Sequence, residues 1–362
     1  MAYIETTPSR LGQVNLVGGS YANDNNLFLK QFAGEVLTTF ETENVMMPLH
    51  TVRSISSGKS AQFPTTGIAT AGYHTPGESL MTTDDGGNPA ASKYLSRIPH
   101  AEVVISIDDM LVSSAFVANI DEAKNHYDVR SIYSTEIGRQ LAYVADRNLI
   151  RCVIAGALAT ADRFGGSASR YLGDTISYDD EASGTTLGDN LASAFFSAAQ
   201  KMDEKNVPQN DRYAVVTPEV YYQLVNLNKD AISRDYNPEV NGSKAGGYIV
   251  QIAGIRILKS NNVPTTDEAA TAVAPHGSSQ IANDPFGTNG TGYRRTTDNG
   301  FLRGKGVIFQ KEAVGTVKLL DLAVESDYSI ERQGTLMVAK YAMGHGVLRN
   351  ECCYWLRGDA AA

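Results

Sequence analysis

The residues best able to do chemistry are few and widely spaced. Residues 54–60 read SISSGKS. A phosphate-cradling loop needs G-x-x-x-x-G-K-[ST] between a buried strand and a helix. Gly58, Lys59 and Ser60 supply its end, but Arg53 stands where the first glycine belongs and Pro64 follows where a helix should start. The spacing predicts a hairpin turn carrying a cation. The six histidines are His50, His74, His100, His126, His276 and His345, and none forms H-x-x-x-H or H-E-x-x-H. No cysteine pair has C-x-x-C spacing, so neither a metal nor a cofactor is expected. His345, between Gly344 and Gly346, reads as a turn residue. There is no G-x-S-x-G elbow. Cys352 and Cys353 lie near Arg349 and Arg357, which would lower a thiol pKa, but two small apolar residues in a terminal strand are the reading preferred here. Asp108-Asp109 and Asp179-Asp180-Glu181 read as solvated strand-end and loop residues. Residues 125–131, NHYDVRS, gather His126, Asp128 and Arg130. On a helix His126 and Arg130 are i,i+4 neighbours with Asp128 on another side, which suits ion pairing or interface contacts better than acid–base work. No catalytic constellation emerges, and no enzyme is expected.

Composition narrows the classes further. The chain has 362 residues, with 31 Lys and Arg against 40 Asp and Glu, a formal charge of −9. Phosphate neutralisation needs clustered cations, so sequence-specific duplex binding is not expected. With 42% hydrophobic and 20% charged residues, the chain has the means to build a core. Three sparse cysteines do not make a disulfide framework and fit a reducing compartment. The opening MAYIETTPSRLG has an early acid and no apolar stretch, so no secretory leader is expected. No apolar run approaches the roughly 20 residues of a membrane span.

The elements that must position these residues are uneven. Residues 1–26 are polar and aperiodic and read as an arm without its own core. Phe28, Phe32, Val36 and Phe40 then recur at i+4, predicting a short amphipathic helix. Strands are expected at 51–55 and 101–107, and the 45 residues between them hold only eight large apolar ones. Such an excursion is either a flexible loop or an extended hairpin lying on something else. Residues 121–157 predict a helix about 55 Å long, enough to span the subunit. From 187 the pattern turns α/β: a helix to about Asn206, a strand at Tyr213–Val216, and a helix opened by Thr217-Pro218-Glu219. Strand character follows at 248–258, broken at Gly254, and from 307 onward, with a hairpin turn or bulge at Gly334 and a turn at 343–346.

At this point a resemblance enters. LFLKQFAGEVLTTF followed by HTVRSISSGKSAQFP, then NHYDVRS, AVGTVKLLDLA and AKYAMGHGVLR, in that order, resemble the major capsid protein of short-tailed bacteriophages (podoviruses) of the coliphage T-seven type. The resemblance implies an α+β chain with the tailed-phage major capsid fold of the HK-ninety-seven type. Its parts would be an N-terminal arm at 1–50, an extended loop (hairpin) at 51–105, a peripheral domain at 106–185 and 306–362 with its spine helix at 121–157, and an axial domain at 186–305. It implies a protein that self-assembles into hexamers and pentamers of an icosahedral shell around double-stranded DNA, with a scaffolding protein during assembly, a portal protein at one vertex and no membrane. The subunit interface would draw on Arg53, Lys59, Phe63, Tyr73 and Glu78 of the loop and on His126, Asp128 and Arg130. A cellular nanocompartment shell of the same fold, or a soluble enzyme using the α/β region, are the competing readings.

Overall fold

The computed structural model describes residues 39–40, 43–69, 71–80, 94–95, 98–118, 130–164, 166, 168–182, 184–227, 251–266, 286, 293 and 301–359. Its strands are β1 (Thr51–Ser54), β2 (Ser60–Thr66), β3 (His100–Ser106), β4 (Leu111–Ala118), β5 (Asp174–Asp179), β6 (Arg212–Val216), β7 (Gln251–Ile252), β8 (Ile255–Lys259), β9 (Gly304–Gln310), β10 (Val314–Ser329), β11 (Gly334–Val347) and β12 (Cys353–Asp359). Its helices are α1 (Arg130–Ala157), α2 (Thr185–Glu204) and α3 (Pro218–Leu227).

Helix α1 organises the molecule. Its 28 residues contain no proline, and they rise about 42 Å. The expected helix began at 121, but residues 121–129 lie outside the described ones. The first half of α1 carries Ile137, Leu141, Ala142 and Ala145 into a cluster with Val117, Met337, Ala339 and Tyr341. These belong to a four-stranded sheet of order β1-β10-β11-β4. The second half carries Leu149, Ile150, Val153 and Ile154 into a larger core with β6, β9 and β12. Gly156 is required there: a Cβ would lie 2.6 Å from Cys353 Sγ, so helix and strand meet at a distance only glycine permits.

The larger core belongs to a six-stranded mixed sheet of order β5-β12-β9-β6-β8-β7. Strands β12 and β5 run parallel, as do β6 and β8, while β9 runs antiparallel to both β12 and β6. Helix α2 adds Leu191, Phe195, Ala198 and Met202, and α3 adds Val220 and Leu224. The start of α3 is as its sequence dictates: Pro218 opens it, and Thr217 Oγ1 accepts the Val220 N–H at 3.4 Å. The break between β7 and β8 falls on Ala253 and Gly254, both at positive φ.

Two expectations need correction. Residues 343–346 are not a turn; they continue β11, with Gly344 opposite Val317 and Gly346 opposite Gly315. The glycines are there because β3 and its end press on this strand. A Cβ on Gly344 would sit 1.9 Å from the Ser106 carbonyl oxygen, and one on Gly346 would sit 2.8 Å from Ile105. The SISSGKS segment is also not a hairpin turn. Strand β1 pairs in parallel with β10, and β2 pairs antiparallel with β3. Residues 55–59 are therefore a corner where the chain leaves one sheet for another.

Candidate assembly surfaces

The corner fixes how a two-stranded ribbon leaves the body. Strands β2 and β3 register residue for residue from Ser60 opposite Ser106 to Thr66 opposite His100. At the base, Ile107 N–H donates to the Lys59 carbonyl at 2.8 Å. Ala61, Ile105 and Ile107 face Val317, Ala342 and Leu348 in a small core. Arg53 Nη1 donates to the Gln62 carbonyl at 2.8 Å, and its guanidinium lies 5.7 Å from the Phe63 ring centroid. Two of the sequence-predicted residues, Arg53 and Phe63, are thus brought together within one subunit. Lys59 is exposed at the corner.

Beyond the paired strands, the described residues bury no apolar side chain. Tyr73 is fully solvent-exposed (104%), and Ile68, Leu80, Leu95 and Ile98 are exposed too. Glu78 holds a local knot: its carboxylate accepts from the Tyr94 hydroxyl, and its backbone carbonyl bonds to His74 Nε2 at 2.7 Å. The His74 and Tyr94 rings meet at a tilt of 53° with centroids 5.0 Å apart. A tie returns to the body from Ile68 N–H to the Tyr171 hydroxyl at 3.3 Å. His126 and Asp128 lie outside the described residues, and Arg130 is the first residue of α1.

Sequence reasoning missed other exposed apolar positions. Ile330, Tyr328 and Leu336 project at the far end of the β10–β11 ribbon, Phe196 from α2 and Tyr222 from α3. Leu336 had a signal, since it faces away from the buried Met337, Ala339 and Tyr341 in strict alternation.

Of the groups that invited a catalytic reading, His50, His345 and the three cysteines are buried. His50 Nδ1 donates to the Met46 carbonyl at 2.8 Å, which assigns its tautomer, so its Nε2 accepts from the Thr316 hydroxyl at 2.6 Å. Thr316 Oγ1 in turn accepts from His345 Nδ1 at 2.9 Å. Burial, set against the carbonyl bond and reinforced by Lys318, lowers His50 to about 4. Burial, then His50 and Lys318, lowers His345 to about 3. The Tyr293 hydroxyl donates to Asp108 at 2.5 Å and accepts the His345 N–H at 3.1 Å. Asp146, buried on α1, accepts from Val45 N, Met46 N and Asn262 Nδ2 at 2.9–3.0 Å. Burial outweighs these bonds and raises it to about 6.

Other candidate charges are paired within the subunit. Asp180 and Glu181 face Arg303 and Lys305, and the Asp179 carboxylate accepts from the backbone N–H of Glu181 and Ala182. Arg163 and Glu351 form a nearly buried bidentate pair at 2.7 and 3.1 Å. The three thiols are buried, and burial pushes Cys352 up to about 12 and the other two well above their ordinary value. Thiols in that state are poor nucleophiles. Among the described residues no cluster of three or more His, Cys, Asp or Glu is placed to hold a metal ion, and no helix is long and apolar enough to cross a membrane.

The arrangement of a long helix shared by two sheets, with a ribbon leaving one of them, is matched by structures of phage capsids. The asymmetric unit of the bacteriophage PhiM1 mature capsid superposes with a TM-score of 0.66 at 15% identity, over 96% of this chain and 93% of that one. The capsid structure of Cyanophage P-SCSP1u superposes with a TM-score of 0.66 at 35% identity, over 98% and 99%. A family profile described as Gp10A-like, major capsid protein, matches residues 62–356. The major capsid protein of Escherichia phage T7 is 34% identical over 331 residues, 90% of each chain. The chain belongs to the Gp10A-like major capsid protein family. It is a shell-forming structural protein of a phage virion.

Proposed function

We propose that the chain closes an icosahedral shell of hexamers and pentamers around a double-stranded DNA genome, in the cytoplasm of the host bacterium, guided by a scaffolding protein and yielding one vertex to a portal. Its role is structural rather than catalytic. The observation that carries this reading is the β2–β3 ribbon. Beyond its paired strands the segment exposes Ile68, Tyr73, Leu80, Leu95 and Ile98, and among its described residues there is no core to repay its ordering. A neighbouring subunit supplies one. Residues 1–50 act as the arm and 51–105 as the extended loop. Residues 106–185 with 306–362 form the peripheral domain, with α1 as its spine, and 186–305 form the axial domain. Arg53, Lys59, Phe63, Tyr73 and Glu78 place the loop on the neighbour, and His126, Asp128 and Arg130 contribute contacts beside the start of α1.

Rings of this kind are heterologous, so one surface meets a different surface of the next copy. Several modest contacts per subunit then sum to a stable lattice. The net charge of −9 suits a container that must release its DNA. The test is co-expression with the scaffolding protein, followed by sedimentation velocity and negative-stain microscopy. Closed shells, or free hexamers and pentamers, are expected. A compact monomer with scaffold present overturns the reading. Lys59→Glu is expected to impair assembly of a folded subunit, and normal shells from that variant remove Lys59 from the interface.

A further inference from the structure

An exposed strand edge is a template for another strand, and proteins blunt such edges with charges, proline or brevity. Among the described residues the sheet edges follow that rule with one exception. β1 has four residues and carries Arg53; β2 contains Pro64; β3 contains His100 and Glu102; β5 begins and ends with aspartate; β7 has two residues; and β10, beyond its pairing with β1, carries Asp321, Glu325 and Asp327. Strand β4, LVSSAFVA, has eight residues and no charge, histidine or proline. It is the terminal strand of its sheet, paired with β11 from Leu111 to Ala118. An antiparallel neighbour on one side satisfies only alternate backbone groups. Among the described residues, no other hydrogen bond reaches 111–118. Apolar side chains line this edge in solvent: Met110 and Val112 are 48% and 45% exposed, and Leu336 on the adjoining strand is 37% exposed.

The two faces of β4 decide what can pair with it. Leu111, Ala115 and Val117 turn toward the α1 cluster, while Val112, Ser114 and Phe116 lie on the opposite face beside Lys340, Val338 and Leu336 of β11. Directly opposed residues of an antiparallel pair share a face. A second copy of the strand, with its helix on the same side of the sheet, therefore pairs about a two-fold axis that passes through a residue. An axis through Ser114 pairs residues 111–117 in full. It sets Val112 opposite the partner's Phe116 and Leu111 opposite the partner's Val117, apolar against apolar on both faces. The edge carries no charge to repel its own copy. A shell also needs such a patch. Contacts around a ring are heterologous and use two different surfaces, whereas a joint on a two-fold axis uses the same surface on both copies.

We propose that β4 pairs antiparallel with β4 of a second copy of this chain, about a two-fold axis through Ser114, joining the two four-stranded sheets into one. The place of this joint, between rings of subunits, rests on the shell reading; its test needs only the free subunit, so the two fail separately. A single strand seam is at the small end of interface sizes. The pair is therefore weak in dilute solution and is reinforced in a lattice by the other contacts of each subunit.

The experiment is disulfide trapping of the full-length chain without scaffold, at about 100 µM, with Ser114→Cys and, as a register control, Val112→Cys. The three native thiols are buried and do not compete. Across the proposed axis the two residues 114 are direct neighbours, within about 5.5 Å at Cβ, whereas the two residues 112 lie about 14 Å apart. Mild oxidation with copper phenanthroline is expected to give at least about tenfold more dimer from Ser114→Cys than from Val112→Cys. Equal yields, or no dimer from Ser114→Cys, overturn the proposal. Sedimentation velocity without oxidant gives the second readout. Wild type is expected to shift toward dimer mass as its concentration rises. Ser114→Lys sets two like charges face to face at an exposed position and is expected to weaken the dimer at least about tenfold, with an unchanged urea midpoint. Wild type and Ser114→Lys that sediment alike overturn the proposal, and so does growth past the dimer that Ser114→Lys abolishes, which would put a different strand on this edge. Closed shells grown with scaffold from Ser114→Cys that do not cross-link would leave the shell reading standing and remove this joint.

Discussion

The six-stranded sheet and the β2–β3 ribbon lie at opposite extremes of burial. In β9 and β12, Val307, Ile308, Phe309, Tyr354 and Leu356 have no exposed surface, and Trp355 has 1%. In the ribbon, Ala61 and Ile105 are buried at the base, while Tyr73 and Ile68 beyond it lie in solvent. The difference teaches where each region finds its partners. The sheet is complete within one chain, so its sequence reads as continuous apolar runs. The ribbon is anchored at its base alone, and its described outer residues bury no apolar side chain, so its sequence reads as coreless.

The largest expected effect breaks the complete side of that comparison. Trp355→Ala empties a site enclosed by β9, β5 and the surrounding core and is expected to cost about 3–5 kcal/mol. Urea unfolding checks it, and a loss under about 1 kcal/mol would mean the sheet is not the subunit's centre of stability. Next is the mounting between the regions. Gly344→Ala drives a methyl against the Ser106 carbonyl and is expected to cost about 1–3 kcal/mol. Hydrogen exchange should rise in β3 before it rises in β9; the reverse order would detach the ribbon's base from β11.

The pH dependence probes the seam between residues 46–50, β10 and β11. His50 and His345 have folded pKa values of about 4 and about 3, below the ordinary 6.5, so below pH 6.5 the unfolded chain binds their protons and the folded chain does not. Asp146, at about 6 against 3.8, has the opposite sign. Between pH 6 and 4 the unfolded chain therefore holds one more proton from these three groups, and their contribution to stability falls by about 1.4 kcal/mol per pH unit as pH drops. Removing one histidine, as in His50→Asn, cancels the imbalance. The wild-type urea midpoint should then fall more steeply with acid than the variant's, and parallel curves would refute the assignment. The smallest effect on stability is expected at the incomplete side. Tyr73→Ser should leave the subunit within about 0.5 kcal/mol of wild type while lowering the yield of closed shells, and unchanged yield would take Tyr73 out of the interface.

Much of this fold is legible in the sequence where one local rule decides the outcome. Helix α3 follows from Thr217-Pro218-Glu219, and α1 from apolar steps between Ile137 and Val153. The β7–β8 break follows from Gly254. The misreadings fall where a distant segment decides. Gly344 and Gly346 look like turn residues because glycine favours turns, yet here it makes room for β3. The corner at 55–59 looks like a hairpin because the parallel partner of β1 lies some 260 residues away, at Gly315–Lys318. Of the candidate surface residues, the juxtaposition of Arg53 with Phe63 depends on that same corner. The roles of His345 and Asp146 depend on pairings 29 and about 100 residues apart. No local spacing announces them.

Helix α1 carries a mechanical consequence. A rod of 28 residues whose halves are embedded in different cores couples the two sheets as a rigid beam. A shell must seat one kind of subunit at both gently and sharply curved places. With the trunk held by that helix, the strain of those seats is expected to fall on the segments outside the two larger cores: the glycine-bearing corner at residues 55–59, where Gly58 adopts a φ of +112°, and the ribbon beyond it.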